Sequence, residues 1–229
     1  KNMFDKIIEY LIYFYIIILP LTPSKFKLGP LPFNGDMVLA LIIFLYLVKI
    51  TLDGRGRSRF VKGLRDFFTH GIGISMALLI IVMTFSVLYS MDMKMAVKES
   101  ARFTTYIILY FIIKYDISSE KALENMIKLY FIVCFMIFSK GIFDFGSALV
   151  RVGNSEYFNQ LRTASTLENA NNLATFAIIS LFPAVTLFIG EKRWKYKGVY
   201  ALLSVMALTN IVVSYSRSAL LGIALGCVM

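Results

Sequence analysis

The sequence predicts an all-α fold, a polytopic transmembrane helical bundle of about eight spans, and its composition and its hydropathy pattern both support that prediction. Hydrophobic residues make up 58% of the 229 residues and charged residues only 17%, which is too apolar for a water-soluble domain of this length. Apolar runs recur along the chain at lengths near the roughly 20 residues that a helix needs to cross a bilayer. We therefore expect an integral membrane protein.

The apolar runs define the predicted spans in order. They cover residues 5–22, 36–52, 71–90, 102–115, 125–144, 172–190 and 199–214, and an eighth run starts at Ala219. The fourth run is short unless the stretch before it joins the helix. Because half a span cannot satisfy its backbone polar groups in lipid, we expect residues 1–229 to be one transmembrane domain, the N-terminal part of a longer polytopic protein.

Basic residues indicate the orientation of the spans. The densest basic stretches are DGRGRSRFVKGLR (residues 53–65) and EKRWKYKG (residues 191–198), both interpreted as loops, and an even number of spans separates them. The excess of Lys and Arg in cytoplasmic loops places both stretches, and the N-terminus, in the cytoplasm. This orientation, with attraction to anionic membrane lipids, explains the net charge of +10 better than nucleic-acid binding or a specific partner site does.

The chain has few residues of the types that most often act in catalysis or metal binding. Cys134 and Cys227 lie inside apolar runs, so we interpret them as small buried hydrophobes rather than disulfide or metal ligands. His70 lies at the cytoplasmic end of the third run, where an interfacial position is expected. The chain has no phosphate-cradling glycine loop and no carboxylate cluster in its outer loops, so neither a cofactor nor a metal is expected.

The segment RTASTLENANNLA, residues 162–174, is polar although it leads directly into an apolar run. Arg162 cannot lose its proton, so at a membrane edge it is expected to pair with a carboxylate, a phosphate or backbone carbonyls. Asn169, Asn171 and Asn172 stand where the sixth run starts. One of them can cap the helix, and the others offer amide groups to a sugar or a phosphate.

A second polar segment, SYSRSALLG at residues 214–222, precedes the eighth run. Ser216 or Ser218 can N-cap a helix that resumes at Ala219, and Arg217 lies between them. Free amide groups and the positive end of the helix dipole favour an anion at such a position. In the simpler alternative these residues are ordinary caps, Arg162 pairs with Glu168, and Arg217 reaches lipid headgroups.

Together the two polar segments resemble the O-antigen ligase and polymerase superfamily, polytopic enzymes of bacterial surface polysaccharide assembly. The resemblance rests on Arg162, Asn169, Asn171, Asn172, Leu173 and Ala174, followed by Ser216, Arg217, Ser218 and Gly222. Two departures stand out. Ala170 occupies a position where members often have proline, and no outer-loop histidine of the kind expected in the ligases is present, since His70 is on the cytoplasmic side.

The resemblance implies a metal-independent, inverting glycosyltransferase on the outer face of the bacterial cytoplasmic membrane. It would transfer or polymerise glycan from an undecaprenyl-diphosphate-linked oligosaccharide, with Arg162 and Arg217 as the catalytic residues that hold the pyrophosphate. The asparagines and serines named above would help to bind substrate. The choice between ligase and polymerase, and the acceptor, stay open. The alternatives are a transporter or flippase of lipid-linked sugars and a non-catalytic scaffold, although carriers usually bury ionisable residues at mid-membrane.

Overall fold

Helices make up almost all of the regular structure in the described part of the chain. The computed structural model describes residues 3–22, 27–28, 31–32, 35–117, 119–152 and 162–228. Its α-helices are α1 (Met3–Leu21), α2 (Gly35–Leu52), α3 (Gly54–Phe67), α4 (Gly71–Ser86), α5 (Met93–Tyr115), α6 (Glu120–Val152), α7 (Ala170–Gly190), α8 (Trp194–Val213) and α9 (Arg217–Val228). A 3₁₀ turn at Val87–Tyr89 extends α4, and β1 (Lys27–Leu28) pairs with β2 (Leu31–Pro32) in an antiparallel hairpin. The predicted all-α class is confirmed.

Five helical segments are long and apolar enough to cross a membrane, as expected for a multi-pass membrane protein. They are Gly35–Leu52, Gly71–Tyr89, Glu120–Arg151, Ala170–Gly190 and Trp194–Val213. Each of them covers one of the predicted runs, except for the last residue of the runs 71–90 and 199–214. The other three runs are also helical, in α1, α5 and α9, but α1 and α5 carry several charged residues, and the apolar part of α9 is shorter, at Arg217–Gly226.

The basic stretch at residues 53–65, interpreted as a loop from the sequence, is helical instead. Asp53 caps α3, since its carboxylate accepts a hydrogen bond of 3.0 Å from the backbone N–H of Arg55. Arg and Lys are good helix formers, and one face of α3 is buried at Gly56, Gly63 and Phe67. The loop interpretation was wrong because the segment is amphipathic, and a search for apolar runs does not detect such a helix.

Several helices are also longer than the apolar runs that predicted them. Helix α5 starts at Met93, capped by Asp92, well before the predicted residue 102. Helix α6 runs from Glu120 to Val152, beyond both ends of the predicted run at residues 125–144, and residues 153–161 lie outside the described part. Helix α8 begins at Trp194, within the second basic stretch. These helices therefore extend beyond the apolar runs that predicted them, because the residues that flank the runs also favour a helix.

The chain divides into two compact units, and the prediction of a single transmembrane domain stays a prediction. Unit 1 comprises Lys1–Tyr15 and Phe33–Asn125. Its core contains an aromatic chain in which Phe60 on α3 contacts Tyr46 on α2 and Phe111 on α5, with ring centroids 6.5 Å and 5.6 Å apart. These contacts hold α3 against α2 and α5.

Unit 2 comprises Ile16–Pro32 and Met126–Met229 and contains both polar segments singled out in the sequence. Its core is built where α6, α7 and α8 meet, and small residues of α7 allow close packing. Fully buried members include Cys134, Ile137, Leu173, Ala174, Ala177 and Ile211. The prediction that Cys134 is a buried residue is confirmed, and the side chain of Cys227 lies outside the described part.

Candidate functional site

The loop at residues 162–169 is attached to the end of α8, where that helix gives way to α9. Arg162 donates from Nε to the backbone carbonyl of Ser214 at 2.9 Å, and the backbone N–H of Thr163 donates to the carbonyl of Val213 at 3.4 Å. Because α9 begins three residues after Ser214, these contacts bring the loop close to the N-terminus of α9. Sequence positions about fifty residues apart therefore meet in unit 2.

The same arginine also contacts the N-terminus of α7. Its Nη2 donates to Oδ1 of Asn171 at 2.8 Å, and Asn171 belongs to the first turn of α7. One guanidinium group thus links the start of α7 to the segment that leads into α9. A guanidinium carries more N–H groups than these two contacts use, and Arg162 is exposed, so it can also donate to a ligand.

The loop backbone is held in an uncommon conformation by contacts to neighbouring helices. Ser165 and Glu168 have positive φ values, 53° and 61°, although neither is glycine. The hydroxyl of Ser165 donates to the carbonyl of Ile137 on α6, and that of Thr166 donates to the carbonyl of Pro20 on α1, both at 2.8 Å. Such conformations persist only where the surroundings impose them, and they are frequent at functional sites.

The three asparagines have three different roles. Asn169 caps α7, with Oδ1 accepting from the N–H of Asn171 at 2.8 Å, which confirms that one of them is the cap. Asn172 donates from Nδ2 to the carbonyl of Leu167 at 3.3 Å, within the loop, while Asn171 accepts from Arg162. Asn169 and Asn172 therefore support the loop, and Asn171 is the asparagine in direct contact with a predicted catalytic residue.

Helix α9 starts at Arg217, two residues earlier than the sequence predicted. Tyr215, in the turn between α8 and α9, has a φ of 51°. Ser216 is buried at the cap position, where its carbonyl accepts from the N–H of Leu220, and its hydroxyl lies 3.1 Å from that of Ser218. Arg217 is exposed on the first helical residue, so it lies at the end of the helix where the dipole is positive.

A cavity of about 300 Å³ opens beside Arg162, between the loop and α6. Its lining includes Asp144, Phe145, Ala148, Arg162, Thr163 and Ser165. Asp144 forms an ion pair with Lys140 one turn earlier on α6, with Nζ and Oδ2 2.6 Å apart. The volume is at the lower end of the range for small-molecule pockets, and the wall combines a guanidinium, a carboxylate, hydroxyl groups and an aromatic ring.

Asn210 on α8 is a buried polar residue that sequence reasoning missed. It is fully buried, and its Nδ2 donates to the carbonyls of Phe138 on α6 at 3.1 Å and Met206 at 2.8 Å. Its Oδ1 lies against Gly141, where a Cβ would approach to 2.1 Å. The signal in the sequence was a single asparagine inside an apolar run. Its contacts fix α8 against α6 directly below the loop, since Thr163 donates to the carbonyl of Gly141.

Within the described ranges, no group of three or more His, Cys, Asp or Glu side chains is placed where it could hold a metal ion. No protein-family model, curated protein or solved structure matches this chain. The functional interpretation therefore depends on the geometry around Arg162 and Arg217 and on the resemblance of the two polar segments.

Proposed function

We propose that this chain acts as a membrane glycosyltransferase that transfers or polymerises glycan from an undecaprenyl-diphosphate-linked donor. The supporting observation is the position of Arg162, whose guanidinium links Asn171 at the start of α7 to Ser214 just before α9. Arg217 occupies the first residue of α9. Two arginines and two helix N-termini at neighbouring chain segments suit a multiply charged diphosphate.

The chemistry gives these residues a role during the reaction as well as in binding. In an inverting transfer, an acceptor hydroxyl attacks the anomeric carbon, the bond from that carbon to the diphosphate oxygen breaks, and the hydroxyl proton passes through solvent to the released diphosphate. The bonding electron pair leaves with the diphosphate, whose negative charge increases. Arginines that bind the departing diphosphate stabilise the transition state, and each charged hydrogen bond contributes about 1.5–3 kcal/mol.

We further propose about eight spans, an N-terminus in the cytoplasm, and a bacterial cytoplasmic membrane as the location. Helix α1 has 19 residues and α5 has 23, enough for each to cross. The charged residues of α1 gather in its N-terminal half, as do most of those of α5, and α9 starts a further span. The basic residues of α3 and of residues 191–198 then face the cytoplasm, and the cavity beside Arg162 faces outward.

A carrier of lipid-linked sugars is the second candidate, because unit 1 buries the ammonium group of Lys49 completely. Buried ionisable residues are typical of transporters. This lysine, however, lies near the end of α2 and forms ion pairs with Asp5 at the start of α1 and Asp116 at the end of α5. A set of charges gathered at helix ends favours a structural role.

Reconstitution with a labelled donor separates the two functions. The full-length protein is placed in proteoliposomes with a fluorescent undecaprenyl-diphosphate glycan, and both the product length and the membrane side of the label are followed. Formation of longer or transferred glycan supports the transferase. Movement of the label across the bilayer without new glycosidic bonds would overturn the proposal and favour the carrier.

A further inference from the structure

Helix α3 presents three distinct faces. At about 100° per residue, the buried face contains Gly56, Gly63 and Phe67. A second face is exposed and apolar over the later turns of the helix, with Val61 60% exposed, Leu64 40% exposed and Phe68, at the C-cap, 56% exposed. Arg57 continues this face in the first turn, where its Nη2 donates to the carbonyl of Thr51 at 3.1 Å. The third face is basic and exposed. Its residues are Arg55, Lys62 and Arg65.

Two sets of polar contacts fix the rotation of α3 about its own axis. In the middle of the helix, Arg59 donates to the carbonyl of Asp116 at 3.1 Å and pairs with the carboxylate of Asp5 at 3.4 Å. Two turns later, the hydroxyl of Tyr115 donates to Asp66 at 2.7 Å, and this hydrogen bond lowers the pKa of Asp66 below its usual value. The apolar and basic faces therefore keep a defined direction in unit 1.

The connections of α3 place it at a membrane surface. Only Asp53 separates it from α2, and residues 68–70 separate it from α4. Both neighbours are long and apolar enough to cross a membrane, whereas α3 is too charged to do so. Because the linkers are so short, α3 lies at the surface that α2 leaves and α4 enters.

We propose that α3 is an in-plane interfacial helix that binds anionic phospholipid. Val61, Leu64 and Phe68 enter the boundary between headgroups and acyl chains, and Arg55, Lys62 and Arg65 contact lipid phosphates. An exposed apolar stripe beside a basic stripe on a short helix is the pattern of such helices. The charge of the third face selects anionic over zwitterionic lipid. This inference is independent of the proposed glycosyltransferase activity.

Depth measurements test the orientation of the helix. In full-length protein with Cys134 and Cys227 replaced by alanine, an environment-sensitive fluorophore is attached to Val61→Cys or Leu64→Cys, with Ser58→Cys as the matched control on the same helix. Brominated lipid should quench the labels at 61 and 64, and a water-soluble quencher should act mainly on the label at 58. Equal aqueous quenching at all three sites would overturn the proposal and indicate a soluble partner.

Lipid selectivity tests the basic face without relying on the labels. The protein is taken from mixed vesicles, and native mass spectrometry compares how much phosphatidylglycerol and how much phosphatidylcholine stay bound to it. The triple variant Arg55→Gln, Lys62→Gln, Arg65→Gln should lose about tenfold or more of the preference for the anionic lipid. The charge-preserving variant Arg55→Lys, Arg65→Lys should keep it. An unchanged preference in the triple variant would overturn the proposal.

Discussion

At the scale of single residues, Arg162 shows which part of a site a sequence can reveal. A permanently charged side chain beside an apolar run is costly, so its presence alone indicated a polar partner. The sequence did not indicate which partner, because one acceptor is the backbone carbonyl of Ser214, and any residue has such a group. Asn171 was among the candidates, yet its pairing with Arg162 depends on the loop conformation set by Ser165 and Glu168.

Replacing Arg162 with lysine tests the guanidinium itself. Lysine keeps the charge but cannot donate to Ser214, Asn171 and a phosphate group in the fixed fork of arginine. We expect Arg162→Lys to lower glycan transfer in proteoliposomes by about tenfold to a hundredfold, because one charged hydrogen bond to the donor is lost. Insertion of the variant into the membrane should be unchanged. Arg193→Lys, which alters an exposed arginine paired with Glu191, is the control. Normal transfer by Arg162→Lys would remove this residue from the proposed site.

Arg217 is a separate test, because its side chain is exposed at the first residue of α9. Lysine and arginine have similar helix propensities, so Arg217→Lys should leave α9 intact. We expect turnover to fall about tenfold or more through loss of bidentate contact with the departing diphosphate. Binding of the donor and the rate of transfer are measured separately. Full turnover in Arg217→Lys would remove Arg217 from the proposed diphosphate site and leave Arg162 as its arginine.

At the scale of elements, the apolar runs predicted the membrane-spanning helices well but missed the amphipathic helix α3. Five predicted runs coincide, to within one residue at their ends, with parts of helical segments able to span a membrane, because a continuous apolar stretch of that length has few other structures available. Helix α3 was missed because its apolar residues are spread over separate faces among basic ones. Its buried face depends on contacts with α2 and α5, such as Phe60 with Phe111, and these are set by tertiary structure.

The contact between α6 and α8 supports a stability prediction at the same scale. A methyl group at Gly141 would lie 2.1 Å from Oδ1 of Asn210, so the helices must separate or the amide must rotate. We expect Gly141→Ala to destabilise the protein by about 1–3 kcal/mol, measured by thermal unfolding in detergent.

The double variant Gly141→Ala, Asn210→Ala separates this clash from a general effect of alanine in α6. Removing the asparagine amide opens the space that the methyl group needs, so the two changes together should cost less than the sum of the single changes. Gly146, also on α6, allows a matched control, Gly146→Ala, which makes the same change where an added Cβ meets no atom within 4 Å. Strictly additive effects of Gly141→Ala and Asn210→Ala would contradict the proposed contact.

At the scale of the whole molecule, each unit has a polar cluster where helix ends meet. In unit 2, Arg162 connects the start of α7 to the end of α8, and in unit 1 Asp5, Lys49, Arg59 and Asp116 form an ion cluster. The sequence did not predict this cluster, because Lys49 and Asp116 are 67 positions apart and nothing local links them. Its position follows from topology, which brings the start of α1 and the ends of α2 and α5 to one place.

The ion cluster predicts the response of unit 1 to loss of its central cation. In Lys49→Met, the carboxylate of Asp116 keeps Arg59 but loses its buried ammonium partner, and removing one member of a buried pair costs about 3–5 kcal/mol. Hydrogen–deuterium exchange should therefore speed up in α2, α3 and α5. Lys98→Met, which removes an exposed cation on α5, should leave exchange unchanged. Adding Asp116→Asn to Lys49→Met removes the stranded charge and should restore part of the protection. Unaltered exchange in Lys49→Met would mean that apolar packing alone, through rings such as Phe60 and Phe111, holds these helices together.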